Sequence, residues 1–269
     1  MNPDISEFSY GYAMTEELIY SSGLAIQAAP LFPSLIEEGR TGGGYDVKIP
    51  FSGFPLFLQF KLSDRMVRNT AWEAQQGLLV PPFYRMHIRP MKHSRQHQLL
   101  LALERSGELV YYVAPHFHEP SELNEVYVNK QVIDRSVFFK PSDIGNLPDD
   151  EWHHVAYCAG QPAYLCSEPR RLLEESKSRK QFDQDLLLGL TPRRLFDGSK
   201  ASVSRLAKRM LEVVMEWSQP TITTDHMENA DAFAKISSKE PRLQIAYLAR
   251  AFFGCEIILV GSRGLKERK

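Results

Sequence analysis

The sequence is poor in cysteine, with only Cys158, Cys166 and Cys255 in 269 residues. Their spacing offers neither a paired disulfide framework nor a zinc motif, so free thiols in a reducing compartment are the expectation. An excess of one charge is also lacking: 32 Lys and Arg stand against 33 Asp and Glu, for a net charge of −1. That balance excludes a generally basic nucleic-acid coat but leaves room for a local basic groove. Long apolar runs are missing as well. Stretches such as Ile257 to Val260 fall far short of the roughly 20 residues that cross a bilayer, so no membrane partner is expected. The opening Met1-Asn2-Pro3-Asp4 has no basic segment leading into an apolar run, so no secretory signal is expected and a cytoplasmic location is. Internal repeats and low-complexity tracts are absent.

What is present is ordinary for a folded chain. Hydrophobic residues make up 43% and charged residues 24%, enough for one large domain or two modest ones with a proper core. Residues 14 to 28 read as a helix capped by Thr15 or Ser9 and stopped by Pro30. Gly42-Gly43-Gly44 leads into a strand pattern over 45 to 62. The segment around Pro81-Pro82 and Pro90 reads as irregular. Lys92 to Arg105 reads as a helix with Leu99, Leu100 and Leu103 on one stripe, and Leu109 to Ala114 as a strand. A helix over 121–129 and a strand over 136–140 follow. From about residue 183 the pattern turns to amphipathic helix, most clearly over Ala201 to Trp217. The expected division is therefore a mixed α/β domain over 1–182 and a mainly helical C-terminal region over 183–269.

The segment from Tyr45 to Leu62 carries the most chemistry. Prolines 50 and 55 bracket Ser52-Gly53 symmetrically, which predicts a reversal there. Asp46 then opposes Gln59, and opposed residues of an antiparallel pair share a face. Lys61 shares it too, two residues on. The other face holds Val47, Ile49, Leu56, Leu58 and Phe60. A carboxylate, an amide and an ammonium are thereby brought together, as a metal-dependent phosphodiesterase requires. Hard cations choose oxygen ligands, a water must become nucleophilic, and charge building on the phosphate must be stabilised. Asp46 supplies a metal ligand, the Gln59 side chain or the Phe60 carbonyl a second oxygen, and Lys61 the ammonium that orients the water or neutralises the phosphate.

On these residues the chain resembles the PD-(D/E)xK, or restriction-endonuclease-like, nucleases. Asp46 matches the acid of the family's second strand, and Gln59-Phe60-Lys61 matches the Q-x-K variant on the third. The helix from Lys92 and the strand at Leu109 complete the family's order of helix, three strands, helix, strand. The resemblance covers about residues 10 to 115. It implies a mixed central sheet flanked by helices, Mg²⁺ or Mn²⁺ as cofactor, and endonuclease activity on nucleic acid, with DNA ahead of RNA. It also implies a glutamate on the first helix facing the site, for which Glu17 is the choice ahead of Glu16. The Q-x-K form is most similar to nucleases of bacterial antiviral defence. Gln59 stands where the usual motif has a second carboxylate, so the competing expectation is a catalytically weak or inactive nuclease-fold subunit that binds nucleic acid or protein.

A second signal is a stretch without acids between Glu73 and Glu104. Arg85, Arg89, Lys92 and Arg95 lie in it, interleaved with His87, His93, His97, Phe83 and Tyr84, and are the expected phosphate contacts. His93 and His97 have the spacing of a zinc-binding helix but lack the intervening glutamate, so no zinc site is expected there. The C-terminal helices are expected to dimerise or to bind a partner protein.

Overall fold

The computed structural model describes residues 1–21, 25–26, 54–147, 149–167, 170–171, 179–189, 200–217, 244–246, 248–249, 252–253 and 255–261. In chain order the elements begin with α1 (Glu7–Ser21), β1 (Ala25–Ile26), β2 (Phe54–Phe60), β3 (Ser63–Met66), α2 (Trp72–Gln75) and β4 (Phe83–Ile88). Next come α3 (Gln96–Arg105), β5 (Leu109–Pro115), α4 (Pro120–Val128), β6 (Ser136–Phe139), α5 (Pro141–Ile144) and β7 (His153–Tyr157). The last are β8 (Tyr164–Leu165), β9 (Arg170–Arg171), α6 (Arg179–Gly189), α7 (Lys200–Trp217) and β10 (Glu256–Gly261). The fold is mixed α+β, with one mixed and one antiparallel sheet. Among the described residues no helix is long and apolar enough to cross a membrane.

The chain falls into two compact units that interleave. Unit 1 is Met1–Ser22, Gln59–His97 and Tyr111–Asp185; unit 2 is Gly23–Leu58, Gln98–Val110 and Leu186–Lys269.

Unit 1 is built on an antiparallel sheet ordered β3-β4-β7-β8-β9 and on the β5-β6 pair, antiparallel from Tyr112↔Phe139 to Pro115↔Ser136. Helix α1 starts earlier than expected because Ser6, not Thr15 or Ser9, caps it: the Ser9 N–H donates to Ser6 Oγ at 3.0 Å. Its buried stripe is Tyr10, Ala13, Met14, Glu17 and Leu18, the spacing of one helix face. Tyr10 packs edge-on against Phe60 and Phe117, with ring centroids 5.7 and 5.8 Å away. The segment expected to be irregular is strand β4. Its prolines sit outside the strand, and between them the residues alternate: Tyr84, Met86 and Ile88 are buried on one face, while Arg85 and His87 share the other. On that second face Phe83 packs with Ala71, Leu79 and Ala156.

Unit 2 holds β1-β10-β2. β10 is the apolar run Glu256-Ile257-Ile258-Leu259-Val260, antiparallel to β2 with Glu256↔Leu58 and Val260↔Phe54. Helix α7 buries Val203, Leu206, Ala207, Met210, Val213 and Val214, as its periodicity predicts, and Arg209 pairs with the buried Glu108 at 2.6 Å.

This pairing changes the expected hairpin. Opposition of Asp46 and Gln59 would put Val47 across from Leu58, and Glu256 stands there instead. The other neighbour of β2 is β5. Asp46 itself, with the rest of the expected strand and turn over 45–53, lies outside the described residues.

Candidate functional site

Lys61 follows directly on β2, and its backbone N–H donates to the Val113 carbonyl at 2.9 Å, which fixes it beside β5. Its side chain reaches a surface depression lined by Lys61, Ile88, Arg89, Ser94, Gln96, His97 and Tyr112. The ammonium donates to Gln96 Oε1 at 3.0 Å. Burial lowers the Lys61 pKa; the Glu7 carboxylate opposes that shift and the Arg89 guanidinium adds to it. Gln96 opens helix α3, and its N–H donates to Ser94 Oγ at 3.3 Å. The helix thus starts at Gln96 rather than Lys92, and its N-terminal end faces the depression.

One side of the depression is the His97–Tyr112 pair. His97 Nε2 lies 2.7 Å from the Gly145 carbonyl and must donate to it, so Nδ1, 3.0 Å from the Tyr112 hydroxyl, accepts. Burial pushes the His97 pKa down to about 4. The imidazole is therefore uncharged at neutral pH, and both its nitrogens are engaged. Lys61 and Arg89 are the two cations of this lining, while the Tyr112 hydroxyl and the Gln96 N–H are engaged by His97 and Ser94.

The other expected site residues are distributed differently. Gln59 is buried at 5% exposure and not on a solvent face. Its Nε2 donates to the Phe60 carbonyl at 2.9 Å, and its Oε1 is buried with no hydrogen-bond partner among the described residues. Both oxygens proposed for a metal thus lie within this local pair. Phe60 packs against α1, so Gln59 faces away from that helix by strand alternation. Glu17 lies on α1, in its buried stripe. It accepts the Val132 N–H at 2.6 Å and lies 3.7 Å from Arg179. Burial raises its pKa, against the backbone hydrogen bonds and Arg179. Glu17 is not among the residues that line the Lys61 depression. Glu16 is half-buried and meets Lys130 at 3.5 Å.

Of the four basic residues, Arg89 lines the depression, and Lys92 is exposed beside it in sequence. Arg95 is half-buried. Arg85 is not a phosphate contact. Its guanidinium grips Glu73 through Nε at 2.7 Å and through a second bond from NH2 to Oε2.

That pair belongs to a cluster that spacing could not reveal. Glu73 on α2 is fully buried, and its Oε1 lies 2.8 Å from His154 Nε2 on β7. Cys166, just beyond β8, completes a set whose donor atoms all lie within 4.8 Å of one another. Burial would raise the Glu73 carboxyl, but hydrogen bonds from His154 and Arg85 hold it at about 2. Burial, then the Glu73 charge, pushes the Cys166 thiol up to about 12. Oxygen, nitrogen and sulfur donors could together take a borderline cation such as Zn²⁺ rather than Mg²⁺. Arg85 already neutralises Glu73, however, so the arrangement is complete as a buried ion-pair network.

Comparison of the chain with protein-family models, curated proteins and solved structures returns no significant match.

Proposed function

We propose that the protein is a metal-dependent nuclease of restriction-endonuclease-like fold that hydrolyses phosphodiester bonds of nucleic acid, with DNA ahead of RNA as substrate. The observation that carries this reading is the half-buried Lys61 ammonium beside Arg89, in a depression closed by the N-terminal end of α3. A phosphate lying against this surface would gain charge-assisted hydrogen bonds from Lys61 and Arg89. Gln59 and Phe60 close β2, Lys61 follows directly on it, and β5 lies beside β2. Strands β3 and β4, which come between β2 and β5 in the chain, belong to the other sheet. Asp46 is the residue we assign to Mg²⁺ or Mn²⁺; the buried Gln59 Oε1 is the second oxygen expected with it, but β10 rather than a strand over 45–49 stands across from Leu58. The ion would supply a nucleophilic water and neutralise charge on the phosphate. Lys61 binds the phosphate, Gln96 holds the ammonium in position, and Arg89 and Lys92 bind flanking phosphates.

A second reading is a nuclease-fold subunit that binds nucleic acid without cutting it. It is favoured by the engagement of Glu17 with Val132 and Arg179, which leaves Asp46 as the one carboxylate assigned to the ion. Incubation with plasmid, single-stranded DNA and RNA, with and without Mg²⁺ or Mn²⁺, separates the two. Cleavage that appears only with metal supports the nuclease. Binding with no cleavage under any metal supports the subunit.

A further inference from the structure

Beside the Lys61 depression an indole stands in solvent. Trp152 is 62% exposed, and its ring lies 6.1 Å from that of His93, tilted by 36°. His93 immediately precedes Ser94, which lines the depression with Lys61, Arg89 and Gln96. The turn that carries Trp152 is anchored on both sides. Asp150 Oδ1 accepts the Lys92 N–H at 2.7 Å, which ties the turn to the segment leading into α3. His153 Nε2 meets Asp149 Oδ1 at 2.6 Å, and His153 Nδ1 bonds Ser167 Oγ. A large aromatic face is thus exposed on a turn tied to Lys92 and His93, just before Ser94 of the depression.

We infer that Trp152 is a stacking platform for an unpaired base, and that the preferred substrate of this site is single-stranded nucleic acid or a frayed end rather than intact duplex. The inference rests on the reading of the Lys61 depression as a phosphate site. An aromatic face beside a cationic track is the arrangement that holds single strands, because every base has a π-face to offer while duplex bases are already stacked on each other. Asp149, Asp150 and Glu151 repel phosphate from the turn itself. The backbone would therefore follow Lys61, Arg89 and Lys92, leaving the base to reach over the indole.

The test is equilibrium binding of fluorescein-labelled single-stranded DNA, the matching duplex and single-stranded RNA, in a chelator that prevents cleavage. The wild type is compared with W152A, W152F and K61A. Trp152 is exposed, so its replacement opens no core cavity. The expected result is tighter binding of single strands than of duplex. W152A should weaken single-strand binding by roughly 5- to 150-fold, the effect of losing one base–aromatic stack. W152F should recover part of this loss, and duplex binding should change little. Quenching of intrinsic tryptophan fluorescence by unlabelled strand should be smaller in W152F, which keeps Trp72 and Trp217. The DNA and RNA arms show which backbone the site takes. If K61A weakens binding and W152A does not, the phosphate reading stands and the stacking platform is overturned. A preference for duplex overturns it as well. If no nucleic acid binds the wild type, the phosphate reading and the platform both fail.

Discussion

Glu73→Ala is expected to destabilise the fold by about 3–5 kcal/mol, the usual result of removing one partner from a buried ion pair. The carboxylate is fully buried, and the Arg85 side chain it faces is only 19% exposed. Truncation leaves that guanidinium without its two hydrogen bonds and without a counter-charge, and also strips His154 of its 2.8 Å partner. The titration of Glu73 leads to a similar size. Lowering a carboxyl from its ordinary 4.5 to about 2 corresponds to roughly 3 kcal/mol of preference for the charged form in the folded chain. Because the folded value is the lower one, this contribution is fully present above pH 4.5 and is lost as pH falls toward 2. Urea denaturation followed by circular dichroism, at pH 7 and at steps down to pH 2.5, measures both effects. Wild type should lose stability across the acid window, and Glu73→Ala should lose correspondingly less there. A double variant, Glu73→Leu with Arg85→Leu, should recover much of the loss, since an apolar pair needs no counter-charge. If Glu73→Ala lies within about 0.5 kcal/mol of wild type at pH 7, the size of an ordinary surface substitution, the cluster is not the buried network described.

Replacing Arg89 and Lys92 together by alanine should flatten the salt dependence of nucleic-acid binding by roughly one unit per lost phosphate contact. Arg85→Ala should lower stability without changing that slope, and an altered slope would contradict its assignment to Glu73. The lowered Lys61 pKa has a direct consequence for binding. The affinity that Lys61 contributes, read as the ratio of wild type to Lys61→Ala, should fade as pH rises through its folded value, before an exposed lysine with the ordinary 10.5 would lose its charge. A ratio unchanged up to that pH would mean that Lys61 is solvated. Gly11→Ala should cost about 1–3 kcal/mol from overpacking, less about 1 kcal/mol of helix propensity, because its new Cβ would sit 2.9 Å from Phe60 Cδ2. Thermal melting checks this, and Phe60→Leu in the same chain should relieve the clash.

Local order was readable where one period dominated. The stripe of α7 and the apolar runs of β5 and β6 announce themselves. β4 was also legible in its alternation of Tyr84, Met86 and Ile88 with Arg85 and His87, but the flanking prolines drew attention to the ends rather than the interior. The start of α1 was misplaced because Ser6 precedes several other good capping residues. Pairing was harder. The neighbour of β2 comes from residues 256–260, and a symmetric turn nearby is a stronger local signal than an apolar run two hundred residues away. The expected site was legible in part. Lys61, Arg89 and the start of α3 converge, while Gln59 is buried and Glu17 is held by Val132 and Arg179. Glu73, His154 and Cys166 meet only because α2 packs over the β4-β7-β8 face, and no spacing rule spans such separations.

The most direct measurement is cleavage of single-stranded and duplex DNA by the purified wild type, Asp46→Ala and Lys61→Ala in Mg²⁺, with the folded state of each variant checked by circular dichroism. Wild type should cut only with metal, and both variants should stay folded and lose cleavage, with Lys61→Ala also losing affinity. Metal-independent cutting, or variants as active as wild type, would contradict the assignment of a metal-dependent nuclease to these residues.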